Sequence, residues 1–546
     1  MAHTQAQSGG HPRRQGEPRE QWSTQTGFIL AAIGSAVGLG NIWRFPGVAY
    51  ENGAGAFLIP YLVALLTAGI PILLLDYALG HRFRGSAPLS FRRLTRGAEA
   101  LGWFQVAISF VIALYYTVII AWSLSYLVFS VTKAWGQDTT TFFLTDYLHA
   151  GDAGVSGDVV AGVFWPLAAT WLATLVILGL GVRRGLERAT RIMLPLLAVM
   201  FVILVVRAVL LPGAADGLNA FFTPVWSALA EPGVWVAAYG QIFFSLSIAF
   251  GIMITYASYL RPRSNLAPTG FVVAFSNSSF EILAGIGVFS ALGFMAAQSG
   301  TTIDQMESIT GVGLAFMAFP QIISMMPASP VFGVLFFGSL TLAGFTSLLS
   351  ILQVVSAAFQ DKFGWTPRQG ALRVGGVAAV GSLALFSTTT GLPVLDTVDK
   401  YVNEVGVVSS AVVTTVLVAW VLRRTGELRG HMSAVSTLPV GRWWTVMVGV
   451  VVPLVLGYML VSASVTLALD GYGGYPAWFT NAFGWGMVGL LVLAAVGLGL
   501  TRWRWNPDAF EPVPVSAPVP APVSALAPTA GRAEAGPADS PGGDDR

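Results

Sequence analysis

The 546-residue chain is predicted to be an all-α, polytopic membrane protein. Three observations lead there. Hydrophobic residues make up 54% of the chain, charged ones only 10%, and the mean hydropathy is +0.69, which soluble domains do not approach. Apolar runs of about 20 residues, long enough to cross a hydrocarbon core of ~30 Å, recur along nearly the whole length. Between them, arginine-rich gaps alternate with gaps that carry mostly Asp and Glu. A lipid bilayer is therefore the expected surrounding.

Other classes fall away on composition. A net charge of +2 is too small for a nucleic-acid partner. The absence of cysteine excludes disulfides, thiolate metal sites and thiol nucleophiles together. The five histidines (His3, His11, His81, His149 and His431) fall in tails or predicted loops, so they form no metal or general-base cluster. Walker A, HExxH and serine-elbow patterns are missing, which points away from an enzyme.

Residues 1–20 are polar and read as a disordered cytoplasmic tail without the apolar core of a cleavable signal. The membrane domain runs over 21–505, with spans expected at 24–46, 53–80, 100–132, 161–181, 188–211, 233–260, 267–298, 330–360, 367–387, 393–423, 442–469 and 477–503. These make about twelve transmembrane helices. Arg13, Arg14 and Arg19 precede the first span, and Arg82, Arg84, Arg92, Arg93 and Arg96 follow the second. Later arginines keep to the same side, so both termini are expected in the cytoplasm and the chain in the cell (plasma or inner) membrane. The connection over 299–328 holds apolar pieces with Pro320 and Pro327 and is expected to fold back over a mouth. From 506 to 546 the sequence is Pro/Ala-rich and reads as a disordered cytoplasmic tail.

The first span contains AAIGSAVGLGNIWRFP at 31–46. Without water, backbone groups freed from a helix need protein, an ion or a cavity as partner. Gly34, Gly38 and Gly40, followed by Asn41 and Arg44, fit a helix opened to coordinate something. The same spacing also fits GxxxG helix packing, and on spacing alone the two readings stand level. The sixth span echoes the first in GQIFFSLSIAFG, 240–251, with Ser245 and Ser247 among aromatics. Two interrupted spans about five apart are a sequence pointer to a transporter binding site. In the seventh span Asn277 and Glu281 lie one helical turn apart, and an intramembrane carboxylate marks a functional site. In the eighth, Thr346 and Ser347 follow Gly344 and offer hard oxygens suited to an alkali cation. Arg44 needs an anion, for which Asp396 and Asp399 are candidates, while Arg19 and Asp361 are a second candidate pair. Either pair is equally readable as an ordinary loop salt bridge.

GSAVGLGNIWRFP, GQIFFSLSIAFGIMITYASY, the Tyr115-Tyr116 pair and AGFTS together resemble the neurotransmitter:sodium symporter family, especially bacterial amino-acid transporters such as the leucine transporter. The resemblance implies a five-helix inverted repeat, spans 1–5 and 6–10, with helices 1 and 6 unwound. It implies two Na+ sites. The first would use Ala36, Asn41, Ser245 and Asn277 with the substrate carboxylate; the second would use Gly34, Val37, Ala343, Thr346 and Ser347. The substrate would lie among Ser35, Ala36, Leu39, Gly40, Ile112, Tyr116, Phe244, Ser245, Ser247, Phe250, Ser347 and Ile351.

Where monoamine members of that family carry an aspartate this chain has Gly38, so the substrate is expected to bring its own carboxylate. Where chloride-dependent members carry a serine it has Glu281, beside Tyr61, Gln241 and Ser245, so no chloride requirement is expected. Ala249 and Ile112 replace the leucine transporter's glycine and valine and imply a tighter pocket. Arg44, Asp399, Tyr116 and Phe244 would form an outer gate, and Arg19, Trp22 and Asp361 an inner one. The function implied is sodium-coupled symport of a neutral, aliphatic L-amino acid by alternating access, independent of chloride. The alternatives are a sodium-dependent amino-acid receptor on the same fold, or a symporter of another zwitterion such as a betaine.

Overall fold

Helices account for nearly all of the computed structural model, which describes residues 20–303 and 311–510. Residues 1–19 and 511–546, including Arg19 and most of the two predicted tails, lie outside the described residues. Among the described residues, ten helices are long and apolar enough to cross a bilayer, from Gly55–Phe83 to Ala477–Leu500. An eleventh span is the pair Gln25–Ala36 and Gly40–Glu51, bent by 51°. One more, bringing the total among the described residues to twelve, is Pro232–Ser245 followed, after a break over 246–251, by Ile252–Ser258. The two broken spans are the first and the sixth, five apart.

Burial separates centre from rim. In the third span, Arg96–Thr132, and the eighth, Ser329–Phe363, 72% and 83% of the most apolar stretch is buried, against 28% and 22% in the last two spans. The third and eighth therefore form the scaffold, packed along each other, and the last two face lipid. Near the chain ends, the short helix Ala87–Leu94 and the helix Thr425–Val435 cover one face of the bundle. At the other end, the apolar segment Gly311–Met325 leans on the first span, with the Phe316 ring 6.0 Å from that of Trp43. Of the connection 299–328, expected to fold back over a mouth, residues 304–310 lie outside the described residues, and none of the rest lines the vestibule beside Arg44.

Two expectations need correction. Residues 506–510, assigned to the tail, lie against the helix Ala87–Leu94: the Arg93 guanidinium sits 4.0 Å over the Phe510 ring, and Arg92 reaches Asp508. Packed chain thus extends beyond 505. His81 and His431, expected in loops, are fully buried on helices, their ring nitrogens 2.9 Å apart. The Arg261 carbonyl can only accept, so His81 donates to it from Nε2 and must accept from His431 at Nδ1.

The break in the sixth span has a visible backbone cause. Ser247 and Ala249 adopt φ of +53° and +66°, in the left-handed region, and Gly251 follows at +86°. Helical bonding cannot continue through that conformation, so other groups take up the freed backbone. The Ala249 N–H donates to Asp76 at 3.3 Å, its carbonyl accepts from Ser410 at 2.6 Å, and the Phe250 carbonyl accepts from Ser109 at 2.7 Å. A left-handed alanine costs about 1–2 kcal/mol, whereas glycine carries no such steric penalty. Ala249→Gly is therefore expected to raise stability by up to about 1 kcal/mol, read as a higher thermal midpoint. A lower midpoint would mean that the Ala249 methyl contributes more by packing than it costs in strain.

Candidate functional site

The two breaks meet. After Ala36 the first span leaves the helix at Val37, whose ψ of 95° is extended, and resumes in a wider turn over Gly40–Arg44. The Gly38 N–H donates to Asn41 Oδ1 at 2.9 Å, and the Leu39 N–H donates to the Tyr116 hydroxyl at 3.1 Å. From the sixth span the Ser247 hydroxyl donates to the Ser35 carbonyl at 3.0 Å, and from the eighth the Ser347 hydroxyl reaches the same oxygen at 3.1 Å. Spans 1, 3, 6 and 8 therefore converge on residues 35–39, the end of the first helix and the break that follows it.

Gly38 has no room for a side chain. A β-carbon there would lie 2.7 Å from Ser347 Oγ and 2.8 Å from the Tyr116 hydroxyl. Gly40 is similarly covered by the Phe244 ring. Ile112 and Ile351, each one helical turn from Tyr116 or Ser347, are 4% exposed and continue those two faces into the core. Phe250 and Ser245 are buried in the sixth span.

Beside this segment runs a chain of neutral oxygen-bearing groups. Asn41 Nδ2 donates to Asn277 Oδ1 at 2.8 Å, and Asn277 Nδ2 donates to the Ser245 hydroxyl at 3.0 Å. Amide oxygen and nitrogen exchange places by a half-turn, so all three residues are able to present oxygen to a common cation. Ser245 also donates to Glu281 at 3.4 Å, Gln241 Nε2 donates to that carboxylate at 2.5 Å, and the Tyr61 hydroxyl completes its shell. Glu281 is fully buried. A second oxygen cluster lies across the first span. Thr346 donates to the Ala343 carbonyl at 2.9 Å, and Ser347 lies 3.5 Å from the Gly34 carbonyl. Hard, neutral oxygens of this kind fit an alkali cation.

Among the described residues, the site opens on one side. Above it a vestibule of ≈ 540 Å³, lined by Arg44, Gln241, Phe244, Asn403 and Glu404 among others, extends toward the end opposite Trp22 and Trp505. It stops at Phe244, below which Tyr116 and Phe250 are each 6% exposed. Arg44 and Asp399, expected as a pair, do not meet within ion-pair distance. The Arg44 guanidinium stacks 4.5 Å over Phe244, Asp399 accepts from Asn403 at 2.8 Å, and Asp396 is held by Tyr472 and Tyr475. Each group is engaged elsewhere, Arg44 on the Phe244 ring and Asp399 by Asn403. At the opposite end Trp22 is buried, donating from Nε1 to the Tyr256 carbonyl at 2.9 Å, and Asp361 accepts from the Ser86 N–H at 2.8 Å. Arg19, their expected companion, is outside the described residues.

Sequence reasoning missed the supports of the two broken spans. Asp76, Ser109 and Ser410 hold the broken backbone of the sixth, and Glu187 accepts from the Ser23 N–H at 3.0 Å where the first begins. Asp76 sits within ILLLDYALG at 72–80, so the rule that singled out Glu281 would also have found it.

A family model described as the sodium:neurotransmitter symporter family matches residues 19–148 and 136–504. The chain is 41% identical to an uncharacterized sodium-dependent transporter of Methanocaldococcus jannaschii, over 84% of this chain and 93% of that one. It is 35% identical to the human sodium- and chloride-dependent creatine transporter 1, over 63% and 62% of the two chains. Among solved structures it resembles MhsT in complex with L-phenylalanine. There the TM-score is 0.71 at 33% identity, covering 82% of this chain and all of that one.

Proposed function

The chain belongs to the sodium:neurotransmitter symporter family, and from that premise we propose that it drives a neutral, aliphatic L-amino acid across the cell membrane by sodium-coupled alternating access. The observation that carries this is the juxtaposition of Asn41, Asn277 and Ser245 with the break that follows Ala36 in the first span. Sodium, when bound there, supplies a positive charge that pairs with a substrate carboxylate. The protein's own groups do the positioning. Tyr116 and the amides at Leu39 and Gly40 face that carboxylate, Ile112, Phe250 and Ile351 flank the side chain, and Phe244 covers it. With Asn41, Ser245 and Asn277 sharing the first cation site with the substrate, neither ligand binds well alone, which is thermodynamic coupling. Gly34, Val37, Ala343, Thr346 and Ser347 form the second.

Gly38 favours an amino acid because it leaves a substrate ammonium without a carboxylate partner on this helix. MhsT, similar in fold and sequence, holds L-phenylalanine in its crystal structure, which supports the same class. Glu281 supports independence from chloride, since its carboxylate already stands in the shell of Tyr61, Gln241 and Ser245. With both termini in the cytoplasm, the open vestibule faces outward, and Trp22 and Asp361 belong to a closed inner gate. A second reading, transport of another zwitterion, draws on the relative named as a creatine transporter.

Purified protein in liposomes is expected to accumulate a labelled aliphatic amino acid under an inward sodium gradient and not with potassium on both sides. Equal uptake in the two conditions would refute coupling. Binding without accumulation would identify a receptor instead.

A further inference from the structure

Residues 249–251 of the sixth span lie on the side of the pocket away from the vestibule, and two other spans place them there independently. Ser109 Oγ, which donates to the Phe250 carbonyl at 2.7 Å, is one helical turn from Ile112 toward the end of the third span where Trp503 bonds Glu99. On the eighth span Val354, one turn from Ile351 toward Lys362, has its Cγ1 3.1 Å from where a β-carbon at Gly251 would stand. Residues 249–251 therefore form the floor of the pocket beneath Ile112 and Ile351. Given the amino-acid transport proposed for this site, on which this inference rests, we propose that Ser410 of the tenth span is a positioning residue. By fixing the floor at the Ala249 carbonyl, it sets how long a substrate side chain the site admits.

Ala249 is the point at which the floor can yield. Its φ of +66° is left-handed, a conformation an alanine keeps only while its surroundings impose it. From the tenth span the Ser410 hydroxyl donates to the Ala249 carbonyl at 2.6 Å, and both residues are buried. Removing the hydroxyl leaves a buried carbonyl short of its donor, at a residue that already holds strain. The peptide then gains by turning toward a relaxed conformation. Phe250, the next residue in the chain, turns with it.

The bond leaves its own helix, which sets Ser410 apart from its neighbours. Ser409 donates to the Gly406 carbonyl and Thr415 to the Ala411 carbonyl, the back-bonding that hydroxyls ordinarily make in apolar helices. Ser410 instead ties the tenth span to the sixth, 161 residues away in sequence. The tenth span also lines the vestibule at Asn403 and Val407, so the floor is held by the wall that a substrate passes on entry. In an apolar pocket one methylene is worth about 10- to 200-fold in discrimination, and a floor free to shift by that much forfeits at least about tenfold.

The test is sodium-driven uptake of labelled L-leucine and L-phenylalanine by the full-length protein in liposomes. Wild type is expected to favour leucine at least about tenfold in kcat/KM. Ser410→Ala should shrink that preference at least about fivefold through a lower KM for phenylalanine, whereas Ser410→Thr, which keeps the hydroxyl, should preserve it. Ser109→Ala, which frees the Phe250 carbonyl, should act in the same direction and takes the place of Ser410→Ala if that variant does not fold. Wild type without the preference would overturn the floor as a length limit. An unchanged preference in the Ala variant that folds, or the same loss in Ser410→Thr, would overturn the assignment to the hydroxyl. No sodium-driven uptake of either amino acid by wild type would instead overturn the transport reading itself.

Discussion

Gly38→Ala is expected to reduce uptake by about 100-fold while leaving the protein folded. The added β-carbon would stand 2.7 Å from Ser347 Oγ and 2.8 Å from the Tyr116 hydroxyl, well inside ordinary contact. Neither group is free to retreat. Tyr116 is held on the Leu39 N–H and Ser347 on the Ser35 carbonyl, so relief must come from shifting the unwound segment or from losing those bonds. Overpacking of this kind costs up to about 3 kcal/mol, and about 1.4 kcal/mol is tenfold in rate. A structural defect would fall on the whole fold, so the discriminating readout is sodium- and substrate-dependent thermal stabilisation, which should vanish while the ligand-free midpoint stays near wild type. Uptake within threefold of wild type would show that residue 38 tolerates a side chain and would remove the argument from Gly38 to substrate class.

What the sequence disclosed and what it hid follow one physical line. Inside a bilayer each polar group is expensive, so Asn41, Asn277, Glu281, Thr346 and Ser347 stand out against apolar neighbours, and the structure places all five near the breaks. Glycine spacing bracketed the sixth-span break between Gly240 and Gly251. Its actual course was not legible, because the chain turns left-handed at Ser247 and Ala249, residues that rarely do so, under the pull of Asp76, Ser109 and Ser410 from other spans. Pairings remote in sequence were hidden for the same reason, as with His81 and His431, 350 residues apart. Arg44 and Asp399 failed as a pair on different grounds. The guanidinium, which lines the vestibule, rests on Phe244, and Asp399 is engaged by Asn403. Sequence reports which charges are available; the conformation decides which of them meet.

Glu281→Ser is expected to make uptake depend on chloride. Tyr61 and Gln241 both donate to this carboxylate, and Ser245 links it to Asn277 and so to the proposed cation site. Removing the carboxylate leaves three donors directed at a cavity without an anion, next to a site that must hold a cation. An uncompensated buried charge costs about 3–5 kcal/mol, which at about 1.4 kcal/mol per factor of ten is at least about 100-fold in uptake. Chloride is a monovalent anion that those same donors are suited to hold, so chloride at about 100 mM should restore most of the loss, whereas gluconate, too large for the space, should not. Wild type should transport equally in either anion. Glu281→Gln separates charge from shape, because it keeps the side-chain volume, supplies no negative charge and crowds the space an anion would need; it should stay inactive in both anions. Collapse of wild-type uptake in gluconate would show that Glu281 does not supply the compensating charge. Chloride-independent uptake by Glu281→Ser would show that the site needs none.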